Sequence, residues 1–193
     1  MRSTALAILA AAALPAAAAA QPIGGDAAEE MLFSADAARV AINPRAGLSP
    51  EEDQTLRLLV ESNGFTYYGA IAFAPGDGIM SESLQGAFNY HDVETASRTA
   101  LLACEAMRSP DAGACILALQ LFPSGYAPRA FQLSQDATRA FAKMRAAGEE
   151  TAFAISATTG AFGVGTGQAA DLKALSACQD TVGADDCAVV VSD

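Results

Sequence analysis

Ala100-Leu-Leu-Ala-Cys104-Glu105, followed after a polar loop by Cys115-Ile-Leu-Ala-Leu119, is the stretch that decides the fold of this chain. It returns near the end as Ala174-Leu-Ser-Ala-Cys178-Gln179 and then Cys187-Ala-Val-Val-Val191. Each occurrence reads as the last turns of a helix carrying one cysteine, a loop, and a strand that opens on a second cysteine. Four cysteines allow three connectivities. The repetition selects one, Cys104 with Cys115 and Cys178 with Cys187. Each bridge would close a short loop and contribute about 2.5–3 kcal/mol on the chain-entropy estimate. The alternative is one zinc ion held by all four thiolates. Such sites space their ligands two to four residues apart, and neither pair here does.

Working outward, a hairpin precedes each cysteine helix. In the first, Tyr68-Gly-Ala-Ile-Ala-Phe73 is a strand, Pro75-Gly-Asp-Gly78 the turn and Ile79-Met-Ser-Glu-Ser83 the return, since Asp-Gly between apolar runs is a hairpin signal. In the second, the same parts are Ala152-Phe-Ala-Ile155, Thr158-Thr-Gly160 and Ala161-Phe-Gly-Val164. Gly78 and Gly160 fall at the same place, which predicts a positive φ at both. The cysteine helices are predicted from about Asp92 to Met107 and from about Ala169 to Asp180, with small residues facing a sheet. Before each hairpin lies another helix. Ser49-Pro-Glu-Glu52 is a capping box with proline at the first helical position, and Asn63-Gly64 is a left-handed stop. Ser134 caps the second such helix, with Ala137, Phe141 and Met144 on one face and Gly148 at its end.

The expected fold is therefore α+β: a duplicated α-β-β-α-β unit with helices packed on antiparallel sheet and one helix-to-strand disulfide per copy. Pro44-Arg-Ala46 and Pro128-Arg-Ala130 open the copies, which gives a first repeat over 44–126 and a second over 127–193. Residues 21–43 form an N-terminal arm, in which Met31-Leu-Phe33 and Val40-Ala-Ile42 read as short strands or a docking segment. Residues 1–20 read as a secretory signal: Arg2, an apolar run over Ala5 to Leu14, and Ala18-Ala-Ala20 before Gln21. Export to the periplasm or medium follows, and an oxidising compartment agrees with disulfides. No later segment approaches the ~18 apolar residues of a membrane span, so no insertion is expected once the signal is removed.

The hairpin-helix-strand portion resembles a bacterial family of small exported domains with no assigned function. Tyr68-Gly-Ala-Ile-Ala72, Gly78, Ala103-Cys104 and Cys115 carry the resemblance in the first copy. Ala152-Phe-Ala154, Gly160, Ala177-Cys178 and Cys187 carry it in the second, where the aromatic-Gly start is missing. The resemblance implies the fold and is silent on chemistry. Similar proteins sometimes bear the label 5-aminolevulinate synthase. Such an enzyme holds pyridoxal phosphate on a lysine, and the only lysines here, Lys143 and Lys173, are predicted on helix surfaces.

Composition narrows function further. The 193 residues carry a net charge of −11, one histidine and no tryptophan. That charge argues against nucleic acid and anionic membranes, which need basic patches. No serine sits in a G-x-S-x-G elbow. Gly163-Val-Gly165-Thr-Gly167 lacks the spacing and the lysine of a phosphate loop and reads as an edge strand entering a turn. Asn89-Tyr-His-Asp92 lies in a stretch present only in the first copy. Its His91 reads either as a general base or ligand contact at a loop rim, or as part of a helix start capped by Asn89 or Asp92. Tyr67, Tyr68, Phe73, Phe88 and Tyr90 read as a sheet core or as an exposed aromatic groove. Strand alternation leaves one of Tyr67 and Tyr68 exposed. Tyr67, Tyr68, Tyr90 and His91 are the candidate ligand-binding residues. No catalytic or metal residue and no cofactor is expected. The expected function is an exported, non-enzymatic binding or structural module for an unknown protein or small ligand. The alternatives are an inhibitor of a secreted hydrolase with a basic surface, and a small enzyme using His91.

Overall fold

The computed structural model describes residues 21–148, 150–181 and 183–193. The expected signal segment, residues 1–20, lies outside them. The described residues form a mixed α+β structure with five α-helices and two antiparallel sheets. In chain order these are α1 (Gly25–Met31), β1 (Ala38–Ile42), α2 (Pro50–Asn63), β2 (Gly69–Phe73), β3 (Gln85–Ala87), α3 (Val93–Met107), β4 (Ile116–Pro123), α4 (Gln135–Arg145), β5 (Thr151–Ser156), β6 (Phe162–Thr166), α5 (Ala170–Gln179) and β7 (Cys187–Ser192). The first sheet runs β1-β4-β2-β3 and the second β6-β5-β7. The two sheets are separate, a point the sequence leaves open.

The period-two pattern of the central strands sorts the layers. Along β2, Ala70 and Ala72 turn to α3 and pack on Ala96, Ala100 and Cys104. Ile71 and Phe73 turn the other way, to Leu56 and Val60 of α2. Along β5, Ala152 and Ala154 meet Ala174 and Cys178 of α5, while Phe153 meets Phe141 and Leu133 on the α4 side. Each sheet thus has a cysteine helix on an alanine face and a second helix on a face of larger side chains. The disulfides Cys104–Cys115 and Cys178–Cys187 pin each cysteine helix to the strand after it.

The helix starts are those the side chains dictate. Ser49 and Glu52 complete a capping box on α2, Asp92 accepts from the Thr95 amide at α3, and Ser134 accepts from the Ala137 amide at α4. Both sheets break register at one place. Ile71 faces Leu119 and Ala72 faces Leu117, which leaves Ala118 as an extra residue. Phe153 faces Val191 and Ala154 faces Val189, which leaves Val190 extra. Each extra residue offers its carbonyl outward to the N-terminal arm. Asn43 N–H donates to Ala118 O at 2.9 Å, and Ile23 N–H donates to Val190 O at 3.0 Å.

Several expectations are corrected. The first hairpin does not return over residues 79–83. Ser83 Oγ accepts from Ala74 N–H and Ser81 Oγ donates to Gly78 O, so side-chain bonds hold a loop there, and the return strand is β3. Met31 ends helix α1 and Leu32 follows it as the cap, whereas Val40 to Ile42 lie in β1 as expected. Gly78 has φ +75 as expected, but Gly160 does not. Gly160 instead admits the Asn89 carbonyl, 2.1 Å from where a Cβ would stand. The Gly163-x-Gly165 run is the edge strand β6, with α5 resting directly on it.

Candidate functional site

The predicted ligand residues are brought together, but around the protein's own second half. A helix begins with amides that lack partners within the helix, and three acceptors from the first half meet those of α4. Ser134 N–H donates to His91 Nδ1 at 3.1 Å, Gln135 N–H to Tyr67 O at 3.0 Å, and Asp136 N–H to Asn89 Oδ1 at 3.2 Å. Gln135 answers with its side chain, whose Oε1 accepts from Tyr67 N–H at 3.3 Å. Because His91 Nδ1 accepts, its Nε2 carries the hydrogen and donates to Ala161 O at 2.9 Å. His91 therefore spans α4 and the β5–β6 turn with both ring nitrogens engaged, and it is 4% exposed. Burial pushes its pKa below the ordinary 6.5, opposed by the Ala161 hydrogen bond and the nearby Asp92 and Asp186 carboxylates.

This corrects the expectation of an exposed tyrosine. Tyr67 is 1% and Tyr68 0% exposed. Alternation does not govern them because β2 starts only at Gly69. Tyr68 exchanges backbone hydrogen bonds with Tyr90, its ring meets Tyr67 and Tyr126 edge-on, and burial holds its hydroxyl well above the usual phenol range. Phe73 is also buried and Phe88 stacks on Phe65 at 3.9 Å, so these aromatics do not form an open groove. Tyr90 is half-buried against the alanine layer under α3.

Beside this latch lies a cleft of about 590 Å³ on the α4 side of the second sheet. Phe131, Ile155, Ala188 and Val190 give it an apolar floor, and His91 and Gln132 line its inner end. The side-chain carbonyl of Gln132 is buried and has no hydrogen-bond partner among the described residues. A second concavity, between β1 and α2, is lined by Arg39, Arg57 and Glu61. Arg57 there pairs with Asp53 and Arg39 lies over the Phe122 ring, and among the described residues no buried unpartnered polar group lines it.

The first half explains why the cleft is open. By register, Ile155 and Ala188 correspond to Phe73 and Ile116, Val190 to Ala118, and Ala130, which also lines the cleft, to Ala46. Those four first-half residues sit in one apolar cluster with Ile79, itself 5% exposed. Ile79 comes from the loop over residues 74–84. The second half joins its strands through residues 157–161 alone. Among the described residues none takes the place of Ile79, and there Ala130 and Ala188 are exposed and Ile155 and Val190 only half-buried. The sequence reading missed Phe131, Gln132, Ala188 and Val190. The signal that marks them is the shorter second hairpin loop. All four cysteines are in disulfides, and no helix of the described residues is long and apolar enough to cross a membrane. A comparison of the chain with protein-family models, with curated proteins and with solved structures finds no match.

Proposed function

We propose that this is an exported, non-enzymatic binding module. Its two halves are copies of one α-β-β-α-β unit, and its ligand site is the cleft beside β7 rather than the tyrosine cluster. The observation that carries this reading is the uncovered apolar floor of Ile155, Ala188 and Val190, whose counterparts are closed over by Ile79. An apolar pocket with a few convergent polar groups is the usual form of a binding site. Export is supported by the leader-like residues 1–20 and by two disulfides in a chain of this size. The engagement of both His91 nitrogens supports a structural rather than a catalytic role for that ring.

Titration with the neutral apolar dye Nile red tests the site. One saturable site is expected, weakened at least tenfold by Ala188→Arg, a change at an exposed position that leaves the fold intact. Equal binding to the variant, or no saturable binding, would contradict the proposal.

A further inference from the structure

We infer that the cleft receives a loop of a partner protein, one that presents a branched aliphatic side chain next to a lysine or arginine. This rests on the cleft being the binding site. The aliphatic part is read from the molecule itself. At the corresponding place in the first half, the group that closes the floor is Ile79, delivered by a loop lying across the strand ends. A partner segment does for Ile155, Ala188 and Val190 what residues 74–84 do for Phe73, Ile116 and Ala118.

The basic part is read from charge and hydrogen bonding. Asp92 lines the cleft. Asp185 and Asp186, both exposed, immediately precede β7, which forms one wall; they stand outside the lining, where Asp186 accepts from Ser156 Oγ and Thr158 N–H and keeps its charge. His91 is held neutral by its burial, so it does not offset them. Arg129, next to the lining residue Ala130, is turned aside. Its guanidinium lies 3.8 Å from the Phe33 ring centroid and donates to the carbonyls of Met31 and Leu32. A basic side chain complements this acidic rim, and the net charge of −11 favours its approach.

The test is selection of disulfide-closed random decapeptides displayed on phage against the folded, oxidised protein, with counter-selection on Ala188→Arg. Equal thermal midpoints of the two proteins establish that only the cleft differs. The expected result is enrichment of Ile, Leu or Val adjacent to Lys or Arg. In the enriched peptide, replacing the aliphatic residue by Ser lowers affinity roughly tenfold or more, and added salt weakens binding. Enriched peptides without an aliphatic anchor, or with acidic neighbours, would overturn the inference. If Nile red binds the cleft and no displayed peptide does, the site stands and the peptide inference falls. If neither binds, both fall. Sedimentation of the protein alone settles one other occupant: a dimer abolished by Ala188→Arg would mean that a second copy fills the cleft, and would overturn the partner segment.

Discussion

Two hairpins of matching register end differently. β2 runs into residues 74–84, and Ile79 comes back over Phe73 and Ile116. β5 runs into residues 157–161, and Ile155 and Ala188 stay open. The short second loop does something else: its Ala161 carbonyl accepts a hydrogen bond from His91 Nε2–H, and Gly160 lies against the Asn89 backbone. One half spends its hairpin on its own core, the other on docking to its neighbour. An uncovered apolar floor is the consequence, which is why the candidate site lies in the half with fewer elaborations.

The largest expected difference between the halves is at the edge strands. A Cβ on Gly165 would stand 1.9 Å from the Ala170 carbonyl, whereas one on Gly86 of β3 would meet the Phe88 ring at 2.5 Å. A ring can rotate and a helix backbone cannot. Gly165→Ala is expected to cost about 3 kcal/mol or more and Gly86→Ala about 1 kcal/mol, read by urea denaturation. Next comes the floor itself. Ile79→Ala is expected to cost about 2–4 kcal/mol, as for other buried aliphatic truncations, and Val190→Ala less than about 1 kcal/mol. Equal costs would mean that the two faces are equally closed.

The latch follows. His91→Ala leaves Ser134 N–H and Ala161 O without partners and is expected to cost about 2–3 kcal/mol, while calorimetry splits one transition into two. A single undiminished transition would show that the halves are held together by other contacts. The smallest effect is that of pH. The folded pKa of His91 lies below 6.5, so the unfolded chain binds more protons in that range. Stability from this group is complete above pH 6.5 and falls as the pH drops from there toward the folded value, by at most about 1.4 kcal/mol per unit. The carboxylates held low by hydrogen bonds, Glu105 beside Arg108 and Asp77 beside Ser109, titrate only in more acidic solution. A slope between pH 6.5 and 5 that survives in His91→Ala would assign the effect elsewhere.

The features legible in the sequence are those written in local residue chemistry. The cysteine repetition gives both disulfides and a small-residue helix packed on sheet in each half. Ser49, Asp92 and Ser134 mark the helix starts because a short oxygen-bearing side chain can accept from the third amide of a helix. What could not be read depends on partners distant in sequence. Nothing near His91 says that Ser134 and Ala161 will face it. Nothing near Gly160 distinguishes a left-handed turn from close passage of the Asn89 backbone. The apolar Ile79-Met80 pair imitates a strand, yet serine side chains bind the surrounding backbone and turn it into a plug. The cleft was invisible for a related reason: an opening is the absence of a covering group, and only comparison of the two loops in space reveals which group is missing.

The central claim is that one face is covered and its counterpart is not. It is tested most directly by the relaxation that a neutral soluble nitroxide adds to the isoleucine methyl signals of the folded protein. Ile71, 2% exposed, and Ile79, 5% exposed, should be protected, and Ile155 on the cleft floor should broaden strongly. If Ile155 is as protected as Ile79, the second face is closed, and both the cleft and the function proposed for it are wrong.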